Sequence, residues 1–178
     1  MKIKKCITAL VATLVIACST FPTSAYASTT TQKTTCDKTI MYTSNMSKTV
    51  NASRAMSLAL YPGQSGYSNT VSFNFIGLPA NAIVKSIKVD AGRGTVLGGL
   101  GAILPQKIKI TNPAGESKEE PWGRGNVTTT SAFIADKAAG VWNVCYYGTN
   151  IASPSSGSQF IGGTKYASVK MTIDYVLE

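Results

Sequence analysis

Histidine is absent from all 178 residues. Without it, a Ser-His-Asp triad, a Cys-His pair and His-bearing zinc sites are excluded. Acids are scarce, eight Asp and Glu against seventeen Lys and Arg, and charged residues make up only 14 % of the chain. Beyond residue 27 the carboxylates are Asp37, Asp90, Glu116, Glu119, Glu120, Asp136, Asp174 and Glu178. None lies in an Asp-x-Asp-x-Asp calcium loop. Glu116, Glu119 and Glu120 follow a turn beside Lys118 and read as a solvated loop, and Asp174 reads as half of a cross-strand pair near Lys170 and Thr172. A carboxylate pair for glycoside hydrolysis is therefore not expected. No apolar run reaches the roughly 20 residues that cross a bilayer as a helix. The expectation is a non-enzymatic protein with no catalytic residue, metal or cofactor.

The N-terminus has the order of a secretory signal. Lys2, Lys4 and Lys5 precede an apolar run from Cys6 to Ala17, then small and polar residues with Pro22, then Ala25-Tyr26-Ala27. An A-x-A site at that place predicts cleavage before Ser28 and a secreted protein. A second reading stands beside it. Val15-Ile16-Ala17-Cys18 resembles a bacterial lipobox, in which Cys18 would carry the lipid and anchor the chain. Residues 28–35, STTTQKTT, have nothing to bury and read as a polar leader. The predicted division is a signal peptide over 1–27, a leader over 28–35 and one domain over 36–178.

Removing the signal's three lysines from the formal charge of +9 leaves +6, scattered rather than clustered. That balance favours solubility, and also contact with an anionic cell-surface polymer, a glycan, a protein or a membrane surface. No specific nucleic-acid binding is expected. Cys36 and Cys145 are the two cysteines left after processing. In an oxidising compartment they are predicted to form one disulfide.

Hydrophobic periodicity within the domain is that of strands. Met56, Leu58 and Leu60 alternate with polar or small residues, as do Val71, Phe73 and Phe75. Ile83, Lys85, Ile87 and Val89 are expected on one face, opposite Val84, Ser86 and Lys88. Ile108 and Ile110 precede an Asn112-Pro113-Ala114-Gly115 turn. Trp142, Val144 and Tyr146 alternate with Asn143, Cys145 and Tyr147, and Val169, Met171, Ile173 and Tyr175 close the pattern. Period-two alternation broken by Gly, Pro and Asn turns predicts an all-β fold, a single antiparallel β-sandwich.

Within residues 83–175, Val84-Lys85-Ser86-Ile87-Lys88-Val89, the Ile108 to Gly115 strand and turn, Gly140-Val141-Trp142-Asn143-Val144 and the strand from Val169 to Tyr175 resemble the P-domain, a jelly-roll sandwich found beside subtilisin-like proteases. The acidic-leucine signature of that family is missing, and no protease domain precedes the segment. The resemblance implies a jelly-roll-like, non-catalytic accessory sandwich and carries over no site residue.

Two segments are candidate sites. Trp122 and Arg124, in Pro121-Trp122-Gly123-Arg124-Gly125, have the chemistry to stack on a sugar or a base; packing of the loop is the other reading of Trp122. The glycine-rich run from Gly92 to Pro105 lacks the Gly-Lys-Ser/Thr ending of a phosphate loop. Val96, Leu97 and Leu100 are candidates for touching a membrane or partner, whereas a kinked crossing inside the sandwich would make them core with Ile103 and Leu104. The functional expectation is a secreted or wall-associated binder of a surface polymer or protein. The alternative is a membrane-active or toxin-like protein using residues 94–105.

Overall fold

Alternating sequence becomes alternating burial along antiparallel strands. The computed structural model describes residues 45–98, 101–152 and 161–178. The predicted signal segment, the predicted leader, Cys36 and Leu100 lie outside the described residues. Twelve strands are present there: β1 (Met46–Asn51), β2 (Met56–Leu60), β3 (Ser65–Tyr67), β4 (Val71–Asn74), β5 (Ala82–Asp90), β6 (Gly94–Leu97), β7 (Ile103–Thr111), β8 (Ser117–Pro121), β9 (Val127–Thr130), β10 (Val141–Asn150), β11 (Gly162–Tyr166) and β12 (Lys170–Leu177). The helical structure among the described residues is a 3-10 turn at Arg124–Asn126. The described residues are all-β, and every strand pairing among them is antiparallel.

One layer is the sheet β3-β10-β7-β8, with β4 sharing the β10 edge end to end with β3. The other is the sheet β1-β12-β5-β9, continued by the smaller sheet β2-β11-β6. Their strands pass from one sheet into the other at three short breaks, 52–55, 91–93 and 167–169. Gly92 sits in one break at φ +68°, a conformation that disfavours a side chain. The Asn126 amide donates to the Gly92 carbonyl at 2.9 Å and ties the break to the 3-10 turn.

Between the layers lies one core. Val71, Phe73, Ile108, Ile110, Trp142, Val144 and Tyr146 come from the first layer, and Val84, Ile87, Val89, Met171, Ile173 and Tyr175 from the second. Burying each large side chain contributes roughly 1.5–3 kcal/mol. The polar atoms that enter the core are paired: Trp142 Nε1 donates to the Ala138 carbonyl at 3.0 Å and the Tyr146 hydroxyl to the Thr164 carbonyl at 3.1 Å. Without those acceptors each donor would carry a desolvation cost of about 1–3 kcal/mol.

Two departures from strict alternation are bulges. On β5, Val84 pairs with Tyr175 and Ser86 with Asp174, so Lys85 is an extra residue. The phase therefore flips: Val84, Ile87 and Val89 are buried while Lys85 is exposed, against the expectation that Lys85 shares a face with Ile87. An unbroken alternation would have buried either the ammonium or nothing apolar opposite Tyr175. On β7, Lys107 pairs with Tyr147 and Pro105 with Gly148. The extra Gln106 turns its carbonyl to accept from the Trp122 amide at 2.9 Å. Of the three glutamates expected in a loop, Glu116 lies in the turn before β8 and the other two are placed differently. Glu119 and Glu120 lie on β8, paired with Lys109 and Ile108.

Edge strands carry lysines on the core-side phase. Lys48 of β1 stands opposite Ile173, and Lys118 of β8 opposite Ile110, and both are exposed. A charge in that position discourages another strand from adding to the edge.

Candidate functional site

The outward face of the first layer is built from residues that alternate with the core. Since Trp142, Val144 and Tyr146 point inward, Asn143, Cys145, Tyr147 and Thr149 point outward. Register arranges the face in rows. Tyr67, Tyr147, Lys107 and Pro121 form one, and Cys145, Lys109 and Glu119 the next. Ser and Thr pairs flank them: Ser65 with Thr149 at 2.7 Å, and Thr111 with Ser117 at 2.8 Å. Ser72 donates to Asn143 at 2.7 Å. The rows are aromatic and charged, and the border is hydroxylic.

Tyr67 dominates the face. Its hydroxyl donates to Oε1 of Glu119, although β3 and β8 are the outer strands of the sheet. Three strand spacings, about 14 Å, separate them, so the phenol has to lie along the sheet rather than stand off it. The ring rests edge-to-face on Tyr147 with centroids 5.0 Å apart, and Lys109 Nζ lies 5.9 Å from its centroid. Even so, Tyr67 is 47 % exposed. It is a ring fixed at three points with surface open to solvent.

Electrostatics follow from these contacts. The Tyr67 hydrogen bond, then Lys107, hold the Glu119 carboxyl below the ordinary carboxylate range. The same bond pushes the Tyr67 phenol up to about 12. Lys107 Nζ lies 3.4 Å from Glu119 Oε2. Lys109 has no carboxylate within ion-pair distance among the described residues. A groove of about 300 Å³ beside the face is lined by Gln106, Lys107, Glu119, Glu120 and Pro121. Cys145 is half-buried in the row below Tyr147, and burial raises its thiol pKa; a thiolate nucleophile is not favoured there.

Trp122 and Arg124 are not part of this face. Trp122 is half-buried against Tyr146 and Tyr166, with centroids 5.4 and 5.3 Å away, and its Nε1 donates to Asn126 Oδ1 at 3.1 Å. The loop after it is closely packed: a Cβ on Gly123 would fall 1.7 Å from the Val127 carbonyl oxygen. Arg124 is exposed on the 3-10 turn. The glycine-rich run divides. Ile103 is core, while Val96, Leu97 and Leu104 are 52, 37 and 50 % exposed; the core reading is corrected for those three, because β6 is an edge strand and Leu104 faces outward on β7.

A second concavity, of about 340 Å³, lies over Asn112, Pro113, Glu116, Asp136 and Lys137. Its Asn112 side chain donates to Asp136 at 2.7 Å and accepts from the Glu116 amide at 2.8 Å, so it holds the turn together. No group of three potential metal ligands is present among the described residues.

Sequence reasoning missed Tyr67 and Glu119. Ser65-Gly66-Tyr67 is too short to show a period, and the β8 glutamates carry no apolar alternation. Tyr147 was legible as an outward aromatic from its phase against Trp142.

No family model matches the chain, and no curated protein matches it. Among solved structures, one described as the crystal structure of FLHE aligns with 73 % of this chain and 97 % of that chain, at 16 % identity and a TM-score of 0.40.

Proposed function

We propose that this protein is a secreted, non-enzymatic β-sandwich that binds a cell-surface polymer on the outer face of the β3-β10-β7-β8 sheet, with Tyr67 as its stacking platform. The observation that carries the reading is the Tyr67–Glu119 hydrogen bond, which lays an exposed ring along a sheet bordered by hydroxyl groups. A ring already ordered loses little side-chain entropy when a ligand stacks on it. Retention on isolated cell-wall material tests this: Tyr67→Ala should weaken binding by roughly 1–3 kcal/mol, as for truncation of an aromatic anchor. Equal retention of wild type and variant rules the face out. Arg124→Ala, away from the face, should bind as wild type does.

Export is part of the proposal and rests on the Lys2 to Ala27 pattern. Secreted material should begin at Ser28, whereas a lipid-modified Cys18 as first residue would make the protein an anchored one.

A second reading has its own observation. Val96 and Leu97 are both exposed on the edge strand β6, and exposed apolar side chains on a sheet edge favour contact with an apolar surface. Leakage of dye from liposomes by the wild type, and its loss in Val96→Ser/Leu97→Ser, would support a membrane-active protein instead.

A further inference from the structure

We infer that the ligand of the Tyr67 face is an anionic glycan, one whose sugar ring stacks on Tyr67 while a carboxylate or phosphate on that ring meets Lys109. The inference rests on the proposed polymer-binding role of this face and adds the ligand's charge.

Three observations select the charge. Glu119 is the one carboxylate in the two central rows of the face, and it already accepts from both Tyr67 and Lys107. Its negative charge is thereby matched by Lys107. Lys109 stands in the row next to Tyr67, between Cys145 and Glu119, and Glu119 makes no ion pair with it. The face therefore has one lysine more than it has acids.

Geometry places that excess charge where a substituent would be. Lys109 Nζ is 5.9 Å from the Tyr67 centroid, the scale of one sugar ring and its exocyclic group. Lys109 Nζ lies over the ring; at that distance the ring holds an ammonium only weakly, and an oxyanion carried by the ligand can draw it into a charge-assisted pair. A cationic amino sugar stacked on the same ring would instead face Lys107 and Lys109, with Glu119 already engaged. Ser65, Thr149, Thr111 and Ser117 supply hydroxyl donors and acceptors at the border, which suits the remaining hydroxyls of a saccharide.

The test uses the secreted full-length protein and polymers that differ only in charge. Polygalacturonate is compared with its methyl-esterified form, which keeps the rings and removes the carboxylates. A phosphodiester-linked glycan and single-stranded DNA are run alongside. Wild type should bind polygalacturonate or the phosphodiester glycan about three- to tenfold more tightly than the neutral ester, the effect of one partly exposed charge contact repeated along a polymer. Which of the two anionic polymers binds better identifies the anion. Lys109→Gln should abolish the difference and leave the weaker, neutral-type binding. Tyr67→Ala should lose both, and Tyr67→Phe, which keeps the ring but not the bond to Glu119, should fall between.

Equal binding of the charged and esterified polymers, still dependent on Tyr67, would overturn the anionic inference and leave the platform intact. Binding unaffected by Tyr67→Ala, or no binding to any glycan, would overturn the platform itself. Tyr67-dependent binding of DNA in preference to every glycan would overturn the glycan assignment.

Discussion

Tyr67 and Glu119 occupy the two outer strands of one sheet, and a hydrogen bond between their side chains crosses both strands that lie between them. The link is unusual in its direction. Cross-strand pairs ordinarily join neighbours, whereas here a phenol extends over Tyr147 and past Lys109 to reach its acceptor.

That bond has a pH signature. Tyr67 donates only while protonated, and its phenol is raised to about 12. The stabilisation is fully present below the ordinary tyrosine value of about 10 and is lost as pH rises through about 12. Glu119 is shifted the other way, so its contribution is present above the ordinary carboxylate value and is lost as pH falls through the lowered one. Phenolate absorbance, read as the difference between wild type and Tyr67→Phe, should show a midpoint near 12. Glu119→Gln should bring it back toward about 10. A wild-type midpoint already at the ordinary value would mean that the bond is not formed in solution.

Much of the fold was legible because burial on one face imposes a period of two. Met171, Ile173 and Tyr175, or Trp142, Val144 and Tyr146, state their orientation without any tertiary information. The bulges at Lys85 and Gln106 were not legible, since an inserted residue is favoured by partner strands far away in sequence. The candidate site was hidden for a related reason. Tyr67 and Glu119 are 52 positions apart, on strands too short or too polar to announce themselves. Trp122 was conspicuous by residue type, yet its surroundings on Tyr146 and Tyr166 depend on how two layers meet.

Cys145 faces outward on β10, half-buried. Cys36, its proposed partner, lies outside the described residues. A disulfide between them is expected because they are the two cysteines left after the predicted processing. It would close a loop of about 110 residues, for which chain entropy gives an upper figure of about 4–5 kcal/mol. Intact mass after alkylation of the unreduced protein should show neither thiol labelled. Two labelled thiols, or a disulfide-linked dimer, would refute the pairing.

Ala135 is held at φ 71°, a left-handed conformation costly for a residue with a Cβ. Its amide donates to the Val84 carbonyl at 3.1 Å, and the next carbonyl, of Asp136, accepts from the Val84 amide at 2.9 Å. Those bonds fix the loop to β5 and enforce the angle. Ala135→Gly should therefore raise stability by about 0.5–1 kcal/mol, the relief of strain less the added chain entropy. Asn126, at φ 65°, gives the opposite outcome. Its side chain accepts from Trp122 and donates to Gly92, so Asn126→Gly should cost about 1–3 kcal/mol. Urea unfolding of the two variants checks the contrast, and destabilisation by both would show that Ala135 is not strained.

The two tryptophans should separate by burial. Trp142 is fully buried, packs edge-on against Phe133 at 5.2 Å and donates to Ala138. Trp142→Ala should cost about 3–5 kcal/mol, the range for deleting a large aromatic from a core that only partly collapses. Trp122 is half-buried, but it closes an aromatic triad in which Tyr146 and Tyr166 also meet each other edge-on at 5.4 Å. Each ring contact contributes roughly 0.5–1.5 kcal/mol beyond the area it covers. Trp122→Ala should therefore cost about 1–3 kcal/mol, less than Trp142→Ala yet well outside the range of a surface change. If the triad is structural, polymer retention at a temperature where Trp122→Ala is still folded should stay near wild type, while Tyr67→Ala loses it. Unchanged stability with lost retention would return the binding site to the Trp122 loop and take it away from the Tyr67 face.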